Sequence, residues 1–408
     1  MGLRRFSLAA SSLSALLLYA ASCLPLFDAS PLLLAPSPLL RWDAFHYTSI
    51  AANGYVHEHQ WAFFPGTPFV MTLAARLLEL AGIDQTNHWS NLLAGGALAC
   101  CLTGSATTLY HLTLHHTHSP NIAYLAALLS LIPTSPVTLR FASYSEPFFT
   151  YLSYRGMLYC ARTKWLAATC CFVLAGALRS NGFTLSGFIL WGLLIDPILN
   201  RQKIDPLVVI KATLYTAMTF VPFVTHQVVA YNAFCAADIV SPAPWCSNFP
   251  PLIYTYVQSK YWNVGFLRYW TLAQVPNFLM CAPILVILLW FTSIHIRDAL
   301  IPRLLDTLHP PSASSTTQPK RTPTQRTSPF LSPTFTPHII HTFLLTLLYI
   351  FASHTQIVLR QAAAMPTTYW AAAYLLMEKP RMGRWWVGWS VVWGAVSVVL
   401  WAAFLPPA

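Results

Sequence analysis

Residues 41–65 read RWDAFHYTSIAANGYVHEHQWAFFP. This is the first place where carboxylates, histidines and aromatics crowd together in a chain that otherwise reads as membrane. Taken as a helix, Asp43, His46, Tyr47, Ile50 and Gly54 fall at i, i+3, i+4, i+7 and i+11. That spacing sets a carboxylate, an imidazole and a phenol on one face. It equally suits an amphipathic helix lying on a membrane surface, with Asp43 as its N-cap. The position of the stretch in the topology decides between a site and a surface helix.

The surroundings are apolar. The chain is 56% hydrophobic and only 9% charged, whereas soluble domains carry roughly 25% charged residues. Continuous apolar runs of about 18 residues or more recur, which excludes a β-barrel and predicts about eleven spanning helices in an all-α polytopic membrane protein. The net charge of +11 is assigned to cytosolic loops rather than to nucleic acid. The MGLRR start and the apolar run from Phe6 to Phe27 read as an uncleaved signal anchor with its arginines in the cytosol.

Spanning helices are expected near 6–27, 88–111, 120–137, 147–160, 165–178, 182–199, 207–230, 274–295, 338–353, 366–377 and 385–405. Residues 1–295 would form a transmembrane catalytic core, with luminal loops at 28–87 and 231–272. Residues 296–337, rich in Pro, Ser and Thr, read as a disordered cytosolic linker. Residues 338–408 would complete the same domain. The stretch 66–82, interrupted by Arg76 and Glu79, is expected to be interfacial or re-entrant. If it spanned, the basic loops from Arg162 onward would face the lumen, against the positive-inside rule. The turn HLTLHHTHSPN (111–121) carries four histidines without a carboxylate or thiol, so it reads as a solvated loop rather than a metal site.

Against that bias, Arg41, Arg140, Arg179, Lys260, Arg268 and Arg360 fall on the luminal side. Charges at membrane depth are costly and face polar cavities. Converging guanidiniums suit a phosphate, although any one of them read singly is a snorkelling side chain. Luminal carboxylates are Asp28, Asp43, Glu58, Glu79, Asp84, Glu146 and Asp238. Asp43 and Glu146 lie beside the membrane among aromatics, where a carboxylate can serve as a general base; Glu146 could also be a structural partner of Arg140. Of nine cysteines only Cys235 and Cys246 lie in a polar loop, and an oxidising lumen would join them. The loop's Tyr254, Tyr256, Tyr261, Trp262, Phe266, Tyr269 and Trp270 suit either interfacial anchoring or sugar stacking.

Together the 41–65 stretch, SYSEPFF (143–149), RSNG (179–182), YWNVGFLRYWTLAQVPNF (261–278), and HTQIVLRQ (354–361) followed by MPTTYW resemble the PIG-V family of GPI mannosyltransferases. The resemblance runs in order from about 41 to 374 and implies a GT-C-like glycosyltransferase of the endoplasmic reticulum membrane with a luminal active site. It implies Asp43 as the catalytic residue. The matched motifs also supply Trp42, His46, Tyr47, Glu58, Arg140, Glu146, Arg179, Asn181, Arg268, Tyr269, Trp270, Gln274, Asn277, His354, Gln356 and Arg360 as candidates for binding substrate. The implied reaction moves mannose from dolichol-phosphate-mannose to the first mannose of a GPI precursor, α-1,6 and inverting. It requires no cofactor; a divalent metal is not required, although Asp43 with Glu146 could hold one. A lipid-phosphate donor in place of a nucleotide sugar is in line with the lack of any Gly-rich nucleotide loop. The implied partners are two lipid-linked substrates and the membrane; a small accessory membrane subunit is left open. The alternatives are another dolichol-phosphate-sugar transferase of the same architecture, or a lipid transporter. Transporters often show internal repeats and mid-helix charges, whereas here no repeat is visible and the polar residues gather at helix ends.

Overall fold

The computed structural model describes residues 2–27, 37–83, 87–236, 241–308 and 328–405. Asp28, Asp84, Asp238 and the 309–327 part of the expected linker lie outside the described residues. Every regular element described is helical, with no strand among the described residues.

In chain order the helices are α1 (Gly2–Ala21), α2 (Asp43–Asn53), α3 (Gly66–Leu80), α4 (His88–Cys101), α5 (Ser105–Thr117), α6 (Pro120–Leu129), α7 (Pro136–Arg140), α8 (Glu146–Ala161), α9 (Trp165–Gly176), α10 (Ser186–Leu190), α11 (Asp196–Leu199) and α12 (Pro206–Cys235). There follow α13 (Ile253–Trp262), α14 (Val275–His295), α15 (Ile301–Leu308), α16 (Thr336–Phe351), α17 (Val358–Gln361), α18 (Pro366–Glu378) and α19 (Pro380–Ala402). Proline opens α6, α7, α12, α18 and α19, where its missing N–H costs nothing because that donor has no intrahelical partner. Asn87, Ser119 and Asp205 cap α4, α6 and α12 through side-chain oxygens.

Among the described residues, six stretches are long and apolar enough to cross a membrane: His88–Thr117, Ser180–Leu199, Pro206–Cys235, Leu272–Leu308, Pro333–Phe351 and Pro380–Ala402. They fall at six of the expected spans, and α6 and α9 are shorter apolar helices at two others. On α12, Leu207, Ile210, Leu214, Val221, Val224 and Val228 are exposed, an apolar face that matches lipid. The interior holds a large cluster around Phe172, Phe188, Phe291, Phe335 and Trp370, and a second where α1 meets α19 around Leu18, Val398 and Trp401.

Contacts between loops bring together residues from both sides of α3. Asp43 precedes α3, while Glu146, Arg179 and Arg360 follow it, yet all four meet in one cluster. Glu58 binds Lys260 at 2.8 Å and Ser180 binds Tyr254 at 2.7 Å, so the 28–87 and 231–272 segments share that face. In the chain, α3 lies between Asp43 and the other three members of that cluster. Its 15 residues span about 22 Å, short of a hydrocarbon core of about 30 Å. At the opposite end, Arg303 binds Asp196 at 2.8 Å, joining the ends of two helices expected to descend.

Three local expectations are corrected. The helix through the motif ends at Asn53, and Gly54 lies beyond it at φ 73° as the C-cap; glycine takes this conformation without a Cβ penalty. The histidine-rich turn is mostly helix: α5 carries His111, His115 and His116, and only His118 turns. His116 and His338 face each other at 3.1 Å between Nε2 atoms, beside Phe335 and Trp370. The linker is also shorter than 296–337. Helix continues from α14 through α15 to Leu308, and Phe330 and Phe335 are buried in the core before α16 begins. Two aromatics with a core site to fill order a segment that its overall composition marks as unstructured.

Candidate active site

The site is built on the segments that connect helices on one face. Trp42, at φ 49°, turns the chain into α2 so that Asp43 occupies the first helical position. The Asp43 backbone N–H donates to the Tyr144 hydroxyl at 3.0 Å, and that hydroxyl donates to the Arg41 carbonyl at 3.3 Å. Non-glycine residues held at positive φ cost about 1–3 kcal/mol and collect at functional sites. Here the packing of Trp42 against Phe404, with ring centroids 5.2 Å apart, accompanies the strained turn.

From Asp43 a ladder of alternating charge runs inward. Arg360 Nη1, on α17, donates to Asp43 Oδ2 at 2.8 Å. Arg360 Nε lies 3.5 Å from Glu146 Oε1 without a hydrogen bond. Arg179 Nη1, at the turn before Ser180, donates to the same Glu146 oxygen at 2.8 Å and to Ser145 Oγ at 2.8 Å. With its amide oxygen turned to the guanidinium, Gln361 accepts from Arg179 Nη1 at 2.9 Å and Nε at 3.0 Å. The Arg360 guanidinium also lies 5.4 Å from the centre of the Tyr144 ring. Burial pushes the Arg360 pKa down, but the charges of Asp43 and Glu146 outweigh it and raise it. The four charges sum to zero, as a shielded cluster requires.

Accessibility differs sharply along the ladder. The Asp43 side chain is 30% exposed, Arg360 11%, Arg179 17% and Glu146 3%. Asp43 is therefore the carboxylate that an incoming molecule can reach. Glu146 sits at the first position of α8, where a negative side chain also suits the helix dipole. It is paired with Arg179 and Arg360, not with Arg140.

The other sequence candidates divide into a rim and outliers. His46 stacks on Phe63 at 4.4 Å and lies 6.3 Å from the Trp262 ring. Burial is the largest influence on His46 and lowers its pKa below the usual imidazole value, with Asp43 opposing and His59 assisting. His354 Nε2 is 2.6 Å from the Trp262 carbonyl, and its ring stacks on Tyr269 at 4.7 Å. Asn277 donates to the Tyr269 hydroxyl at 2.8 Å and to the Gln274 oxygen. These residues form a continuous wall from α2 to the start of α14. Tyr47 is buried between Phe63 and Tyr144. Asn181 donates to the Tyr349 hydroxyl at 3.4 Å.

Glu58 is taken up by Lys260 and Tyr261 at 2.8 and 2.7 Å, and Arg268 donates to Ser259 at 2.6 Å. Trp270 binds the Ile350 carbonyl at 2.7 Å, and Gln356 is half-buried next to the ladder's α17. Arg140 is not brought to the ladder. Its guanidinium turns to Ser7 and Ser11 on α1. Cys235 and Cys246 are disulfide-bonded, with Cα atoms 5.6 Å apart, closing the end of α12 onto the buried Trp245. Ser145 and Gln361 were not singled out as ligands. Their one signal was position, each adjoining a charged residue of a matched motif.

A multi-pass helical protein with an open carboxylate, paired guanidiniums and an aromatic wall on one membrane face has the parts of an integral-membrane transferase: a proton acceptor, anion holders and a platform for a sugar or lipid. Comparison with known proteins narrows the class. Residues 12–408 match the family described as Mannosyltransferase (PIG-V), and the chain belongs to that family. It is thus a membrane-embedded glycosyltransferase.

It is 35% identical over 422 residues to a GPI mannosyltransferase 2 of Cryptococcus neoformans var. neoformans serotype D, covering 94% of this chain and 93% of that protein. It is 34% identical over 376 residues to the GPI alpha-1,6-mannosyltransferase 2 of Rattus norvegicus, covering 85% and 75%. For the GPI alpha-1,6-mannosyltransferase 2 of Homo sapiens the identity is 30% over 374 residues, covering 85% and 74%. No solved structure matches.

Proposed function

We propose that this mannosyltransferase adds the second mannose of a GPI-anchor precursor, through an α-1,6 bond, at the luminal face of the endoplasmic reticulum membrane. The donor is dolichol-phosphate-mannose and Asp43 is the base. The observation that carries the assignment is the contrast in exposure between the two clustered carboxylates: the Asp43 side chain is 30% exposed and Glu146 only 3%. A base must reach the hydroxyl that it deprotonates.

The 6-hydroxyl of the acceptor mannose attacks C1 of the donor mannose. The C1–O bond to phosphate breaks as the new C1–O bond forms, with inversion. The hydroxyl proton passes to an Asp43 oxygen, and the electron pair of the broken bond leaves on dolichol phosphate. That leaving group is a stable anion and needs no general acid, so one accessible carboxylate suffices, unlike the paired acids of glycoside hydrolysis. Arg360 couples the two ends of the reaction. When Asp43 accepts the proton it loses its charge and its claim on Arg360, just as the phosphate gains charge. The guanidinium is then free to turn to the phosphate. Arg179, with Gln361 and Ser145, fixes Glu146, and Glu146 keeps Arg360 from leaving the site. The wall of His46, Trp262, Tyr269 and His354 would position the acceptor glycan. The scheme routes no step through a metal, since each carboxylate already has a guanidinium partner.

The test is Asp43→Asn at matched expression in cells lacking the endogenous enzyme, with GPI intermediates read by mass spectrometry. Accumulation of the one-mannose intermediate on a stable protein is the expected result. Full rescue would remove Asp43 as the base, and accumulation of a different intermediate would remove the assigned acceptor.

A further inference from the structure

Arg140 is 7% exposed, and no carboxylate among the described residues pairs with it. Its Nη2 donates to the Leu131 carbonyl just past α6. Its Nη1 makes two long contacts, 3.5 Å to the Ser7 carbonyl and 3.4 Å to Ser11 Oγ. Its Nε is buried with no partner. Capping the end of α6 accounts for one donor of the guanidinium and leaves both the Nε and the charge unexplained. Burial is the main influence on this group and lowers its pKa to about 10, so it remains a cation at neutral pH. An uncompensated buried charge costs several kcal/mol unless something pairs with it.

Beside it lies a cavity of about 40 Å³ whose lining includes Arg140, Ser105, Ser130, Thr150, Tyr154 and Tyr369. Ser130 and Tyr154 already donate to the Ala127 and Ala363 carbonyls, which leaves the hydroxyls of Ser105, Thr150 and Tyr369 to rotate toward an anion. The space is narrow and suits a compact group such as one phosphate rather than a hexose. Pro147 and Ala363 form part of its wall; each is a near chain neighbour of the Asp43–Arg360–Glu146–Arg179 ladder, but none of the ladder's side chains lines the cavity.

We propose that the Arg140 cavity is a second anion site, separate from the Asp43 cluster, that takes a single phosphate group, either free or esterified to a lipid. Arg140 supplies the charge, and the hydroxyls of Ser105, Thr150 and Tyr369 supply further donors. The site does not depend on the mechanism proposed for Asp43.

The test uses the full chain in phosphatidylcholine nanodiscs, prepared without phosphate and at constant ionic strength. Thermal unfolding midpoints are compared in chloride, in inorganic phosphate, and in nanodiscs containing a polyisoprenyl phosphate. For the wild type and for Asp43→Asn, saturating phosphate in one of these forms should raise the midpoint by about 2–4 °C. A rise with inorganic phosphate identifies a free anion; a rise only with the lipid identifies a headgroup. Arg140→Met should abolish the rise. Arg140→Lys, which keeps the charge but lacks the planar guanidinium, should weaken apparent affinity at least about fivefold and serves if the Met variant does not fold. Absence of any rise in the wild type overturns the proposal. So does an Arg140 variant with a lower midpoint in chloride but an unchanged phosphate response, since that is the behaviour of a helix cap alone.

Discussion

Glu146→Gln isolates the charge of the buried carboxylate from its shape. Glutamine retains an oxygen for Arg179 Nη1, now 2.8 Å from Glu146 Oε1, while its NH2 replaces Oε2, which accepts from the Ser145 hydroxyl at 3.3 Å. What disappears is the negative charge shared by two guanidiniums that are 17% and 11% exposed. A hydrogen bond to a charged group is worth about 1.5–3 kcal/mol and a neutral one about 0.5–1.5, so the retained contact weakens by about 1 kcal/mol. The cluster also changes from neutral to +1, and removing one partner of a buried pair costs about 3–5 kcal/mol. With the hydrogen bond preserved, the lower end applies, and the expected destabilisation is about 3 kcal/mol. The assay is denaturant or thermal unfolding of the purified protein in detergent. It is run as a double-mutant cycle with Arg179→Gln. The double variant restores neutrality, leaving Asp43 with Arg360, and should be more stable than the sum of the single effects by about 1–3 kcal/mol. A loss below about 1 kcal/mol for Glu146→Gln, or additive single effects, would refute the view that this ladder is held by charge balance.

Other perturbations probe separate parts of the site. Arg360→Lys keeps one positive charge but loses the planar fork between Asp43 and Glu146; mannosyl transfer should fall at least about tenfold, or about 1.4 kcal/mol of barrier, with expression unchanged. Gly182→Ala would place a Cβ 2.5 Å from Gly176 Cα and 2.6 Å from Gly176 N. Neither backbone atom can yield, so the variant should lose about 1–3 kcal/mol of stability and displace Arg179, seen as a lower unfolding midpoint together with lower activity. His46 has a pKa depressed below 6.5: the unfolded chain takes up a proton near pH 6.5 while the folded site resists. Its stabilising contribution is therefore complete above that pH and is lost as pH falls through the folded value. Unfolding midpoints measured from pH 7.5 to 5 should fall less steeply in His46→Phe than in the wild type, and identical slopes would reject this role for His46.

The sequence made the charged ladder visible because charge is scarce in this chain and costly where it sits. Asp43, Glu146, Arg179 and Arg360 each stood out in an apolar setting, and the positive-inside bias placed their segments on one side. In the structure the four side chains meet directly. Direction was not visible. Arg140 lies on α7, the five-residue helix Pro136–Arg140, and nothing in the spacing distinguishes an arginine that faces Glu146 from one that turns to Ser7 and Ser11 on α1. Uncharged partners were equally hidden. Ser145 and Gln361 carry no contrast with their neighbours, yet together they take up much of Arg179's donor capacity. The same reasoning separates the two arginine sites. Arg179 and Arg360 have their charge answered within the protein, so a phosphate reaching Arg360 must compete with Asp43. That competition ties anion binding to the protonation of the base. Arg140 pairs with no carboxylate among the described residues, so an anion binding there would leave Asp43 untouched. Phosphate binding that is sensitive to Arg140 but insensitive to Asp43→Asn is therefore the pattern expected if the molecule keeps two kinds of anion site.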